Sequence, residues 1–148
     1  MYVSINGKEL VPGKDYIVGA ESKGAKASGE LMKGDSVQFF NRKERLVVKL
    51  QDKLTWTVAT EAADYTTLLI NKKAINGEPR DFEVNIENKF ISNFKTSNVC
   101  AVVKGTAMPD SFIFFTAHYD HLGGMGKDTY FPGANDNASG VSLLLNLA

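Results

Sequence analysis

The chain has 148 residues, 43% of them hydrophobic and 10% aromatic, with seventeen basic residues against seventeen acidic ones. That length supports one core, or one domain and part of a second, and the balanced charge provides no field for nucleic acid or an anionic membrane. No stretch approaches the roughly 20 apolar residues of a membrane span, and the single cysteine, Cys100, excludes an internal disulfide and a cysteine-type zinc site.

The start, MYVSINGKEL, has neither the basic nor the apolar region of a signal peptide. Within it Asn6-Gly7 lies between two extended runs, the strongest short hairpin signal. Residues 19–35, GAESKGAKASGELMKGD, are small, polar and glycine-rich and read as a loop. SVQFF (36–40), RLVVKLQ (45–51) and LTWTVAT (54–60) lean towards strand, with Asp52-Lys53 as a turn joining the last two. Trp56 on such a run reads as core. YTTLLINKKAI (65–75) fits a strand or a short helix equally, and INGEP (75–79) marks a turn and a boundary. Residues 1–80 are thus expected to form a β-rich region, and no motif in them carries identifiable chemistry.

Residues 81–148 are patterned more tightly. DFEVNIENKF sets Phe82, Val84 and Ile86 on one face against acidic residues on the other, as a half-exposed strand would. SNVCAVVKG (97–105) predicts a second strand, with Cys100 as a small buried residue, closed by a Pro109-Asp110 turn. SFIFFTAHYD (111–120) is apolar on both alternating faces, the pattern of a strand covered on both sides as in an α/β sheet. Val141, Leu144, Leu145 and Ala148 then fall at helical spacing, an amphipathic helix beginning near Asp136.

Chemistry gathers where that apolar run ends. On a strand His118 and Asp120 point to one side and Tyr119 to the other. A neutral imidazole at the end of a buried strand suits zinc, and a nearby carboxylate can fix its tautomer and orientation. Asp136 precedes a helix N-terminus, where exposed N–H groups favour an anion, and a carboxylate at such a junction can give one oxygen to each of two metals. Glycines 123, 124, 126 and 133 let the intervening loop bend. Each residue alone also has a plain structural use: Asp136 as a helix cap, Asp120 and His121 as surface or loop-bonded residues. Asn137-Ala138-Ser139 matches the glycosylation sequon inside this loop and reads as a chance match.

Taken together, TAHYDHLG (116–123), PGANDNASG (132–140) and the following helix resemble the di-zinc exopeptidases, the family that includes leucyl aminopeptidases, plasma glutamate carboxypeptidase and the glutaminyl cyclases. The Asp-Asn-Ala-Ser-Gly run favours the peptidases over the cyclases. The resemblance covers about residues 81–148. It implies that His118 and Asp136 are zinc ligands, Asp136 bridging two metals, and that Asp120 orients His118. It also implies an α/β fold, that of a phosphorylase/hydrolase-like zinc exopeptidase domain of which this chain carries the N-terminal part, so the chain itself is expected to be β-rich with one C-terminal helix. Residues 1–80 resemble, loosely, the protease-associated inserts of many members.

The implied activity is hydrolysis of N-terminal peptide bonds by a water that two zinc ions activate, with a peptide as substrate and a secreted or periplasmic location. The family pattern also calls for a Glu-Glu pair, a further acidic ligand and a last histidine, and nothing after Asp136 is His, Asp, Glu or Cys. These 148 residues are therefore expected to be inactive by themselves, and their uncovered apolar surface is expected to self-associate or to pack loosely. Two other classes stand beside this one: a non-catalytic receptor-like relative, and an accessory β domain that positions peptides.

Overall fold

The computed structural model describes residues 1–34 and 39–148. Their contacts divide the chain into one unit of Met1–Phe90 with Gly124–Tyr130 and another of Ile91–Gly123 with Phe131–Ala148. In chain order the first unit forms β1 (Tyr2–Ile5), β2 (Lys8–Glu9), β3 (Tyr16–Val18), β4 (Gly24–Glu30), β5 (Met32–Lys33), β6 (Phe39–Asn41), β7 (Leu46–Gln51), β8 (Thr66–Asn71) and β9 (Asp81–Glu87). It also takes in most of the hairpin of β10 (Gly123–Met125) and β11 (Thr129–Phe131), so the glycine-rich loop is partly paired strand.

One sheet has the order β2-β1-β9-β4. The expected hairpin is present: Ile5 faces Lys8, and Asn6 and Gly7 take φ of 52° and 73°, the two positive values of a type I′ turn. The Asn6 side chain does more than turn the chain. Its Oδ1 accepts from the Arg80 and Asp81 N–H groups at 2.8 and 3.2 Å, and its Nδ2 donates to the Glu78 carbonyl at 3.0 Å. β9 alternates as read, with Phe82, Val84 and Ile86 buried between exposed polar neighbours.

Its other neighbour, β4, overturns the loop reading of residues 19–35. Gly24–Glu30 pairs with β9 along its whole length, from Gly24 opposite Glu87 to Glu30 opposite Asp81. The sequence of β4 has little strand propensity; the ladder to β9 supplies what propensity does not. Only glycine fits at its start, where φ is +94° and a Cβ would lie 2.7 Å from the Ile86 carbonyl oxygen.

The second sheet has the order β3-β8-β7-β6-β5 and is antiparallel except between β7 and β8. Those two run parallel, from Leu46 opposite Thr66 to Gln51 opposite Asn71. The strand-to-strand turn expected at Asp52-Lys53 is therefore replaced by a crossover. Residues 54–60 form no strand, because parallel neighbours need a long connection and residues 52–65 provide it. Half-buried Trp56 in that connection donates its Nε1–H to the Val18 carbonyl at 2.7 Å. Of SVQFF, Phe39 and Phe40 lie in β6 and Ser36–Gln38 fall outside the described residues. YTTLLINKKAI resolves into β8 and a 3-10 turn, Lys72–Ala74, that Asn71 caps through the Lys73 N–H at 3.0 Å. Tyr16, Ile17, Leu46, Val48, Leu68 and Ile70 are the buried heart of this sheet.

The second unit departs further from expectation. Neither 97–105 nor 111–120 forms a strand, and Cys100 is exposed rather than buried. Phe112, Ile113, Phe114 and Phe115 are 69, 83, 83 and 64% exposed. The local alternation survives, since the rings of Phe112 and Phe114 stack with centroids 6.2 Å apart. An apolar pattern on both faces states what would have to cover a segment; a ladder also needs neighbours, and among the described residues none pairs with it. The Pro109-Asp110 turn is present, closed by the Ser111 N–H on the Met108 carbonyl at 3.1 Å. A wide turn, Ala134–Ala138, leads into α1 (Ser139–Leu147), the one α-helix among the described residues, which buries none of its residues. The chain is thus β-rich with a single C-terminal helix.

Candidate metal site

The loop after His118 and the turn before α1 bring together three of the singled-out residues, with His121 beside them. The Nδ1 of His118 lies 2.8 Å from the Asp120 backbone carbonyl and 3.4 Å from the Asp120 carboxylate. Nδ1 thus meets only acceptors and carries the proton. In the neutral ring Nε2 is then a lone pair. That lone pair faces Asp136 Oδ1 at 3.0 Å.

Two lone pairs at that distance repel unless a positive centre stands between or beside them, either a proton on Nε2 or a metal ion. Donors 2.0–2.2 Å from a tetrahedral zinc stand about 3.4 Å apart, within a few tenths of an ångström of the observed separation. At 3.0 Å the two groups are at the separation of a hydrogen bond through a proton on Nε2, and both are donor types that zinc takes when that proton is absent. Two donors do not fill a zinc coordination shell, and among the described residues no group of three or more His, Cys, Asp or Glu side chains converges on one point. His121 comes nearest to being a third partner, with Nδ1 3.9 Å from Asp136 Oδ2.

Asp136 is not the helix cap. The cap position is Ala138, which has no side-chain acceptor, and Asn137 just before it stands in: its Oδ1 accepts from the Gly140 N–H at 3.1 Å and so satisfies one of the open donors of α1. The Asp136 carboxylate is left free to face His118. In the sequence Asn137 is noted only as part of a chance sequon match, although an Asn three residues before Gly140 at a helix start is a recognisable capping signal. Gly133 also has a use other than flexibility: a Cβ there would lie 2.7 Å from the His121 Cβ and 2.9 Å from the Asp136 carbonyl oxygen. We therefore expect Gly133→Ala to force His121 and the 134–138 turn apart, with loss of the ring–carboxylate contacts visible in nuclear magnetic resonance (NMR) spectra of both histidines. Unchanged histidine resonances would show that the turn accommodates the methyl group.

The hydrogen bond to the Asp120 carbonyl, helped by the Asp136 and Asp120 carboxylates against some desolvation, raises the pKa of His118 from the usual 6.5. The sign follows from that direction. A raised pKa in the fold means that the His118–Asp136 contact contributes fully below the ordinary imidazole value and is lost as pH rises through the raised one. Zinc needs the same Nε2 deprotonated, so metal affinity should climb with pH across that window. Titration of the metal-free chain by NMR should place His118 above an ordinary exposed histidine; a value at or below 6.5 would contradict the geometry.

An imidazole held by one nitrogen and aimed by the other at a carboxylate just before a helix is the arrangement this site presents. Residues 98–148 match the sequence model of peptidase family M28. Over 56 residues the chain is 45% identical to a probable zinc metalloprotease of Pyricularia oryzae, which covers 36% of this chain and 11% of that protein. It is 27% identical over 141 residues to aminopeptidase YwaD of Bacillus subtilis, covering 94% of this chain and 28% of that one. The resemblance to zinc-dependent exopeptidases seen in the sequence is thus found independently, and the chain spans well under a third of either relative. No solved structure is significantly similar to it.

Proposed function

We propose that this chain is part of a metal-dependent peptidase, an aminopeptidase in which two zinc ions activate the attacking water. The observation that carries the reading is the His118 ring: its Nδ1 is held at the Asp120 carbonyl and its Nε2 is set 3.0 Å from Asp136 Oδ1. In this reading His118 and Asp136 are metal ligands and Asp120 orients the ring. When bound, the metals would lower the pKa of a water and polarise the scissile carbonyl. The chain's own contribution is to hold an imidazole nitrogen and a carboxylate oxygen at one point. Two donors cannot complete a co-catalytic pair, so the remaining ligands and the general base would come from outside these 148 residues, which alone should not hydrolyse peptides.

Residues 1–80 are proposed as an accessory β region and 81–148 as the beginning of the catalytic domain, although β9 pairs within the first sheet. A secreted or periplasmic setting belongs to the same proposal. Among the described residues no helix is long and apolar enough to cross a membrane.

The test has two arms. The 148-residue chain should take up zinc through His118, read by competition with a chromogenic chelator, without releasing arylamine from aminoacyl arylamides. The complete protein that contains it should release arylamine and lose that activity to a chelator. Activity that survives exhaustive chelation would sink the metal mechanism. A complete protein that binds zinc but leaves every N-terminal substrate intact would sink the aminopeptidase assignment.

A further inference from the structure

Asp136 has two carboxylate oxygens, and His118 engages one of them. On the side of the other, Oδ2, stands His121, its Nδ1 3.9 Å away. That distance is too long for a direct hydrogen bond and within the reach of an ion pair when the ring is protonated. His121 is also the most sheltered of these side chains, 25% exposed against 49% for His118 and 72% for Asp136. It sits over the turn that carries Asp136, at the place where any residue larger than glycine at 133 would collide with its Cβ. The base of the side chain is thus packed against the turn, while the residue as a whole stays exposed.

A carboxylate that touches a partner through one oxygen only is free to swing about its Cβ–Cγ bond. A ring nitrogen held beside the second oxygen restricts that freedom. Building on the metal-site reading above, we propose that His121 is a positioning residue for Asp136: it holds Oδ2 so that Oδ1 stays directed at His118 and at the metal that those two would share. His121 acts through Asp136 and is not itself a ligand.

Two substitutions in the 148-residue chain separate this from packing alone. In His121→Asn the amide nitrogen takes the place of Nδ1 and keeps a donor towards Oδ2, whereas His121→Leu fills the space without one. In the metal-free chain, nitrogen-15 shifts of the His118 ring should move to those of an unpaired ring in His121→Leu and stay near the wild-type values in His121→Asn. Zinc affinity should fall about 10–100-fold in His121→Leu, the usual cost of removing a residue that orients a ligand, and recover largely in His121→Asn. The cobalt-substituted chain should keep the same number of imidazole ligands in all three forms.

His118 shifts that do not change in His121→Leu would overturn the proposal whatever the metal does. Loss of an imidazole from the cobalt shell in both variants would overturn it in favour of direct ligation. If the ring shifts behave as expected but the wild-type chain takes up no zinc, the positioning role stands and the metal-site reading falls.

Discussion

Replacing His118 with alanine is expected to lower the zinc affinity of the chain by more than about 100-fold, beyond the 10–100-fold typical of residues that only orient a ligand. Among the described residues the imidazole is one of two donors that meet directly at the site, at 3.0 Å from Asp136 Oδ1, and the other ring, His121, stands 3.9 Å from the far oxygen of Asp136. Asp120→Asn should do much less, nearer tenfold. The closer partner of Nδ1 is the Asp120 main-chain carbonyl at 2.8 Å, which the substitution retains, while the carboxylate lies at 3.4 Å. Calorimetric titration of both variants gives the ordering. Equal losses would mean that the Asp120 side chain, rather than its backbone, fixes the ring.

A second large effect separates the two units. Leu68 is fully buried on β8, opposite Val18 on one side and Val48 on the other. Leu68→Ala should cost about 2–5 kcal/mol through lost transfer energy and the cavity left behind. In a unit of this size that lowers the melting temperature by roughly 10 °C or more. Phe114→Ala, at a position 83% exposed, should change stability by less than about 0.5 kcal/mol. Urea unfolding followed by Trp56 fluorescence reads the first unit directly, and hydrogen exchange should be fast across 111–118 and slow along β8. A Phe114→Ala variant as destabilised as Leu68→Ala would show that this segment is covered in solution, by self-association or by a packing not seen in the structure.

Where local chemistry decides the backbone, the fold was legible. Asn6-Gly7 announces its turn because few other residues accept two successive positive φ values, and β9 announces itself by alternation. β4 did not, because its glycines, alanines and serine have no preference of their own and become a strand only through β9. The parallel pairing of β7 with β8 was hidden for a related reason: nothing in either strand names a partner across an irregular connection. For 111–118 the composition reported the covering that such a sequence calls for, not the pairing it has. At the site, His118, Asp120 and Asp136 were legible as a word, and the structure brings them together. The division of labour among their neighbours was not, since whether Asp136 or Asn137 caps the helix depends on a turn that spacing alone does not describe.

The bonds of Asn6 to Arg80 and Asp81 join residues 74 and 75 positions apart. Closing a loop of that length costs about 4 kcal/mol of chain entropy before any contact repays it. The first sheet has no local substitute, because β1 and β4 meet only through β9. On a ribosome adding about 5–20 residues per second, the amino-terminal hairpin waits several seconds for its central strand. During that wait the edges of β1 and β4 that β9 will occupy are open to other strands, including those of neighbouring nascent chains. High contact order thus makes this region slow to fold and prone to misassemble during synthesis, whatever its final stability.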